Sequence, residues 1–267
     1  MPEIAPKKKF GQNFLIDQTV LERIITSAGS LENKSILEIG GGSGNLTKHL
    51  LEAKPKKILV IEIDKDYIYP LTNILKSESV ETKLISHDIL DTDIYSFFSE
   101  PPVIFGNLPY NISTKILTKL LAPENGKVKW EALLLMFQLE VANRIVAMPN
   151  TKQYGRLSLF SQFYSCPSLQ FQISKTSFYP VPKVESALVK FERNNKNHNK
   201  FNGILFQEII RKSFQGRRKL IKNTLKTSYR DISTIMSICD IPSDRRPENV
   251  TLQQFCSLTE AIENYRS

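Results

Sequence analysis

From about residue 35 onward the chain alternates short apolar runs with amphipathic stretches. SILEI (35–39), KILVIEID (57–64), TKLISHD (82–88), PVIFGN (102–107) and EALLLMFQ (131–138) read as buried strands. Between them, LTKHLLEA, YIYPLTNILKS and STKILTKLLA read as helices, although Pro70 sits awkwardly inside the second. Apolar strands separated by helices predict a parallel sheet covered on both faces. Right-handed crossovers then make a doubly wound α/β domain. Ligands in such sheets bind outside the carboxyl ends of the strands, so the residues that end each strand are the candidates for chemistry.

After about residue 193 the pattern changes. NNKNHNK (194–200) is polar and reads as a linker or loop. Beyond it, Leu205/Phe206, Ile209/Ile210, Phe214, Leu220/Ile221 and Leu225 recur near helical spacing. TLQQFCSLTEAIENY predicts a last helix with Thr251 as its N-cap. The expected organisation is an α/β domain over residues 1–193 followed by a small all-α domain over 194–267.

ILEIGGGSGNLT places Gly40, Gly41, Gly42 and Gly44 between the first of these strands and its helix. Glycines there let the backbone turn tightly and approach a ligand closely. Glu62 stands about 20 residues on, near the end of the second strand, where an acid binds ribose hydroxyls. Asp64 competes for that role on spacing alone. Asp88 closes the third strand, placed to receive an adenine amine. The glycines are spaced GxGxG instead of GxGxxG, and no basic side chain lies in the loop to meet a phosphate. A phosphate-free nucleoside cofactor such as S-adenosylmethionine fits better than a dinucleotide.

The fourth strand ends in FGNLPY (105–110), where a substrate should meet that cofactor. The lone pair of a nucleobase exocyclic amine is delocalised into the ring, which makes it a poor nucleophile. Two acceptors aimed at its N–H bonds favour a tetrahedral nitrogen and free the pair. The side-chain oxygen of Asn107 and the carbonyl of Leu108 are suited to this, and Pro109 stiffens the turn. Tyr110 offers a face on which an extruded base stacks, worth about 1–3 kcal/mol. A plain turn explains the Asn and the Pro; the base-binding reading explains all four residues.

Composition is that of an ordinary soluble protein, with no apolar run near the roughly 20 residues of a bilayer span. The basic opening MPEIAPKKKF has no apolar h-region behind it, and the first 22 residues contain no Arg. Neither a secretory leader nor a mitochondrial transit peptide is expected. Cys166, Cys239 and Cys256 share no CxxC spacing and read as idle thiols of a reducing cytoplasm. His49, His87 and His198 are scattered, so no metal site is expected.

Charge changes the picture more. Residues 193–230 hold 11 Lys or Arg against one acid, Glu208, which leaves 25 basic and 26 acidic residues elsewhere. The formal +9 is thus local to one segment, the mark of a polyanion partner, with nucleic acid ahead of an anionic membrane surface. Arg217, Arg218, Lys219, Lys222 and Lys226 are the candidates for phosphate contacts, with Arg144 and Arg156 as further ones. At helical spacing Arg218, Lys222 and Lys226 share a face, and Gly216 marks a break before it.

FGQNFL (10–15), EIGGGSGNLT (38–47), FGNLPYNIST (105–114), YGRLSL (154–159) and FYPVPKVESALV (178–189) together resemble the KsgA-type small-subunit rRNA adenine dimethyltransferases. RRKLIKNTL (217–225) and RPENVTLQQF (246–255) extend the resemblance, in the family's order, over nearly the whole chain. It implies a Rossmann-like class I methyltransferase fold, with a seven-stranded, mostly parallel sheet and an all-α C-terminal domain. The implied reaction dimethylates the N6 amine of two adjacent adenosines in a hairpin near the 3′ end of 16S rRNA. S-adenosylmethionine is consumed and S-adenosylhomocysteine released, in the course of small-subunit biogenesis. By resemblance, Asn13, Leu15, Gly40, Gly42, Glu62, Asp88 and Asn107 contact the cofactor. Asn107, Leu108, Pro109 and Tyr110 hold the adenine, with Phe178 on its other face. An immature small subunit is the implied partner, and a monomer the expected state. Leu139 stands where relatives often carry Lys, and Glu185 where Asp is usual. The rivals are a macrolide-resistance-type methyltransferase of large-subunit rRNA, which reads NIPY and PKVNS, and an assembly factor that no longer transfers methyl groups.

Overall fold

Among the residues described by the computed structural model (4, 6–7, 11–76, 79–122, 129–194, 203–216 and 218–266), seven strands form one sheet. The chain begins with β1 (Phe14–Leu15) and α1 (Gln18–Ala28), and then the α/β alternation sets in. It runs β2 (Ser35–Ile39), α2 (Asn45–Glu52), β3 (Lys57–Glu62), α3 (Ile68–Ile74), β4 (Glu81–Ser86), β5 (Val103–Asn107), α4 (Ser113–Leu121), β6 (Ala132–Gln138) and α5 (Leu139–Ile145). α6 (Arg156–Tyr164), β7 (Ser165–Ile173), β8 (Phe178–Tyr179) and β9 (Ser186–Arg193) follow, then α7 (Gly203–Ser213), α8 (Ile221–Leu225), α9 (Ile232–Ile238) and α10 (Leu252–Arg266). The sheet order is β4-β3-β2-β5-β6-β9-β7, with β9 antiparallel to β6 and the five strands from β4 to β6 parallel.

All five strands expected from the apolar runs are present within a residue or two of their expected ends. The central ones are buried almost throughout, as strands covered on both faces must be, whereas β4 at the edge alternates exposed and half-buried positions. Pro70 is the third residue of α3, in the first turn, where a missing N–H costs no helical hydrogen bond. Chain order reverses on either side of β2, which has β3 on one side and β5 on the other. That switch point places the ends of β2, β3, β4 and β5 along one crevice.

The structure divides into two compact units, residues 1–142 with 168–193, and residues 143–167 with 194–267. The chain leaves the first unit for the last time at the expected 193/194 boundary, but 143–167 also group with the C-terminal helices. Side-chain chemistry accounts for this. In α6 Ser158 through Ser161, Phe163 and Tyr164 are all buried, and the Phe163 ring stacks on Phe206 of α7 at 4.1 Å. Tyr154 donates to the Val250 carbonyl (3.0 Å), and Asn194 donates to that of Gln162 (3.1 Å). In the same unit α10 starts as expected: Thr251 Oγ1 accepts from the Gln254 amide (3.2 Å) and Gln254 Oε1 accepts from the Thr251 amide (3.0 Å), a reciprocal capping box. No helix among the described residues is long and apolar enough to cross a membrane.

Candidate active site

In the first unit, a cavity opens at the carboxyl ends of β2 to β5. Gly40 and Gly42 line it, both in the left-handed region (φ +77° and +50°). A Cβ on Gly42 would stand 2.7 Å from the Phe14 ring, so nothing larger than glycine fits there. The Gly42 amide donates to Glu62 Oε2 (2.8 Å), and the Asp64 amide to Oε1 (2.7 Å). Burial pushes the Glu62 carboxyl up from its ordinary range, and these amide bonds partly offset that. Each oxygen keeps a lone pair for a ligand, so Glu62 ties the glycine loop to β3 while lining the cavity.

Asp64 is committed elsewhere. Its carboxylate accepts from Lys7 Nζ (2.6 Å) and Gln12 Nε2 (2.9 Å), and Lys7 also pairs with Asp66 at 2.6 Å. Burial raises the Asp64 carboxyl, but Lys7, Gln12 and the Asp66 amide together outweigh it and hold it below its usual value. This clasp, with Tyr67 donating to the Ile4 carbonyl (3.2 Å), carries the N-terminal residues to the cavity rim, where Gly11, Gln12 and Asn13 line it. Of the two acids that spacing left open, Glu62 lines the cavity and Asp64 anchors the arm.

At the end of β5, Asn107 Nδ2 donates to the Asn13 carbonyl (2.6 Å). That carbonyl can only accept, so the contact fixes the amide's orientation and leaves Oδ1 as an unspent acceptor. Leu108, Pro109 and Tyr110 also line the cavity. The Tyr110 hydroxyl bonds Ser186 Oγ at 2.6 Å, and burial raises its phenol above the ordinary value. Beyond Glu62 and Asp88, the walls are the apolar Ile63 and Ile89, and no Lys or Arg lines the cavity among the described residues. Two carboxylates among apolar walls suit a cationic nucleoside.

The comparisons agree with this chemistry. Residues 5–264 match the family model described as ribosomal RNA adenine dimethylase. The chain belongs to that family. "Ribosomal RNA small subunit methyltransferase A" of Cereibacter sphaeroides is 34% identical over 97% of this chain and 93% of its own length. Among solved structures, a dimethyladenosine transferase from Plasmodium falciparum superposes with a TM-score of 0.78 at 25% identity, covering 92% of this chain and 95% of that one. The 23S rRNA methyltransferase ErmE shares the fold, with a TM-score of 0.72 at 24% identity over 94% of this chain and all of its own.

Of the residues expected from family membership, Asn13, Gly40, Gly42, Glu62, Asp88 and Asn107 to Tyr110 line one cavity. Leu15 and Phe178 are placed elsewhere. They face each other in the antiparallel β1–β8 pair, 4% and 1% exposed, within the core. A ring that stacks on a base needs an open face, and Phe178 has none here; its strand neighbour Tyr179, 37% exposed, points the other way. Sequence reasoning missed His87, Ile63, Ile89 and Asn111 of the lining, and Ser186 behind Tyr110. The first three are immediate neighbours of the two acids, which was the available signal.

The basic candidates lie in the second unit. Arg144 and Arg156 are exposed, as are Arg218, Lys219 and Lys226, while Lys222 is half-buried; Arg217 falls outside the described residues. The expected helical stripe through 218, 222 and 226 is not formed. Leu220 is extended (ψ 145°), the Ile221 amide donates to the Arg245 carbonyl (2.9 Å), and the helix runs only over 221–225. Arg218 therefore lies in the preceding turn, and Lys226 caps the end. The Ile221 contact also brings the exposed Arg245 and Arg246 to the start of α8, which sequence spacing did not show.

Proposed function

We propose that this protein transfers two methyl groups from S-adenosylmethionine to the N6 amine of each of two adjacent adenosines in a hairpin near the 3′ end of small-subunit rRNA, on an immature subunit. Family membership over residues 5–264 supports the enzyme class. The small-subunit target is supported by relatives such as that of Cereibacter sphaeroides. NLPY and PKVES, where resistance-type enzymes read NIPY and PKVNS, support the same target.

The observation that carries the chemistry is the orientation of the Asn107 amide. Its Oδ1 and the Leu108 carbonyl together accept the two N–H bonds of an adenine amine, drawing the nitrogen toward tetrahedral geometry. Tyr110 supplies the stacking face for a base taken out of its helix. The residues present fit S-adenosylmethionine: Glu62 would offer lone pairs to its ribose hydroxyls and Asp88 to its adenine amine, and the glycine loop would let the backbone approach it closely. Bound there, the cofactor supplies an electrophilic methyl group and leaves as S-adenosylhomocysteine. No tuned general base is needed, because the methylated ammonium sheds its proton to water. The exposed basic residues of the second unit provide phosphate contacts that position the RNA without reading its sequence.

The test uses tritiated S-adenosylmethionine with small subunits from cells lacking the endogenous modification, large subunits alongside, and mass spectrometry of the labelled nucleosides. Dimethyladenosine in small subunits alone is the expected outcome. Label in large subunits would transfer the protein to the resistance-type reaction.

A further inference from the structure

We infer that Ser186 is a positioning residue for methyl transfer: its hydroxyl, acting through Tyr110, sets the plane against which the target base is held. This role rests on the proposed reaction. Ser186 is fully buried and does not line the cavity, so it reaches the substrate only through its 2.6 Å bond to the Tyr110 hydroxyl. Tyr110 lies in the turn after β5, and a ring on a turn swings about two side-chain torsions unless something holds its far end.

Ser186 provides that hold from a rigid place. It is the first residue of β9, which pairs with β6 in an unbroken register from Gln138↔Ser186 to Ala132↔Glu192. The residue before it is fixed as well. The Glu185 carbonyl accepts from the Leu139 amide (2.9 Å), and its carboxylate accepts from the Lys175 amide (2.7 Å). The serine of the KVESA stretch thus has a physical reason that the cofactor and base contacts leave unexplained.

Either hydroxyl can donate in this bond, and the tether is the same in both cases. Burial keeps the phenol protonated, so at neutral pH the bond joins two neutral hydroxyls. The tether settles the ring's orientation before the base arrives, so less ordering remains to be done in the transition state.

The experiment compares Ser186→Ala, Tyr110→Phe, the double variant and Ser186→Thr with the full-length wild type, using small subunits as substrate. Losing one net hydrogen bond predicts that Ser186→Ala lowers kcat about tenfold. S-adenosylhomocysteine affinity is expected to stay near wild type, and the melting temperature to fall by about 2–4 °C, the cost of one hydrogen bond in a chain of this size. Tyr110→Phe removes the same bond, so the double variant should be no slower than either single one, and Ser186→Thr should recover most of the rate. Independently of substrate, protein labelled with 3-fluorotyrosine should show one 19F resonance that vanishes in Tyr110→Phe, shifts in Ser186→Ala and returns in Ser186→Thr.

A double variant about a hundredfold slow, the product of two independent losses, overturns the inference. So does a cofactor affinity that falls together with kcat. An unshifted fluorine signal beside an active wild type overturns the role of Ser186 alone. A wild type that methylates no rRNA overturns the functional reading and this role with it.

Discussion

Replacing Asn107 by alanine removes two interactions whose costs can be read separately. One is the Oδ1 acceptor proposed for the substrate amine. Removing one such preorganised polar group lowers kcat on the order of 10²–10³, or about 2.7–4 kcal/mol of transition-state stabilisation. The other is the 2.6 Å bond from Nδ2 to the Asn13 carbonyl. Both residues are half-buried, so water replaces part of it, and the loss is that of an ordinary net hydrogen bond, about 1 kcal/mol. In a chain of this size that lowers the melting temperature by about 2–4 °C. Single-turnover transfer of tritiated methyl groups and thermal melting measure the two costs, and isothermal titration with S-adenosylhomocysteine checks that the cofactor still binds. Asn107→Asp divides them differently. It keeps an acceptor for the amine but sets a second oxygen against the Asn13 carbonyl, so it should transfer methyl groups faster than the alanine variant. Its melting deficit should shrink as the pH is lowered and the introduced carboxyl takes up a proton it can donate. An alanine variant that binds S-adenosylhomocysteine normally and turns over within about threefold of wild type would refute the amide's role, since the lost acceptor must cost far more than that.

Glu38 is fully buried, and burial, with the charge of Glu62 adding to it, raises its carboxyl to about 8 despite the bond from Thr47 Oγ1 (2.6 Å). The folded state therefore holds a proton that the unfolded chain has released, and stability falls as pH rises from the unfolded value toward 8. Glu38→Gln should flatten melting temperature against pH between 5 and 9, gaining most at the alkaline end. Asp64 has the opposite sign: its depressed carboxyl adds stability above the unfolded value of about 3.9, lost as pH falls through the folded one. Asp64→Asn should speed amide exchange in residues 11–15 at pH 7, and the difference from wild type should close only as pH falls below 3.8 and through the lowered folded value. Gly42→Ala must hold a left-handed backbone and displace Phe14, costing about 2–4 kcal/mol in melting experiments and weakening S-adenosylhomocysteine binding. Arg218→Ala and Lys222→Ala should each weaken rRNA binding and lower the slope of log affinity against log salt by about 0.7–0.9, with cofactor binding unchanged.

The parallel half of the sheet was legible because each of its strands is buried on both faces and so appears as an uninterrupted apolar run. β7 was not. Its SCPSLQFQI alternates exposed and half-buried residues over most of its length, and Pro167 stands inside it, so the apolar signal is halved and broken. β1 and β8 are two residues each, too short for any periodicity to register. The grouping of 143–167 with the C-terminal helices was equally hidden. α6 is buried over most of its surface although four of its nine residues are polar, and the partner that explains this, Phe206, comes about 40 residues later.

The site divides along the same physical line. Glycines and acids at strand ends announce themselves, because residue type and position alone make the argument; Gly40, Gly42, Glu62, Asp88 and Asn107 all line the cavity. What residue type cannot supply is direction. Asp64 and Glu62 are the same chemistry two residues apart on one strand end, and only the reach of Lys7 and Gln12 gives one to the arm and leaves the other to a ligand. Phe178 and Tyr179 are adjacent aromatics, and the one-residue register of the β1–β8 pair decides which is core and which is open. The same register bears on the reaction. With Phe178 closed off, the stacking face proposed for the base is, among the described residues, that of Tyr110, bonded from behind to Ser186. For Phe178 to supply a second stacking face, as the family resemblance implies, the β1–β8 pair would have to shift when the base enters. Because Leu15 is paired with Phe178, and the Leu15 carbonyl accepts from Asn45 at the start of α2 (2.7 Å), such a shift would also pull on the glycine loop. Base entry and cofactor grip would then be coupled, and occupancy of one site would change the affinity of the other by the same factor in both directions.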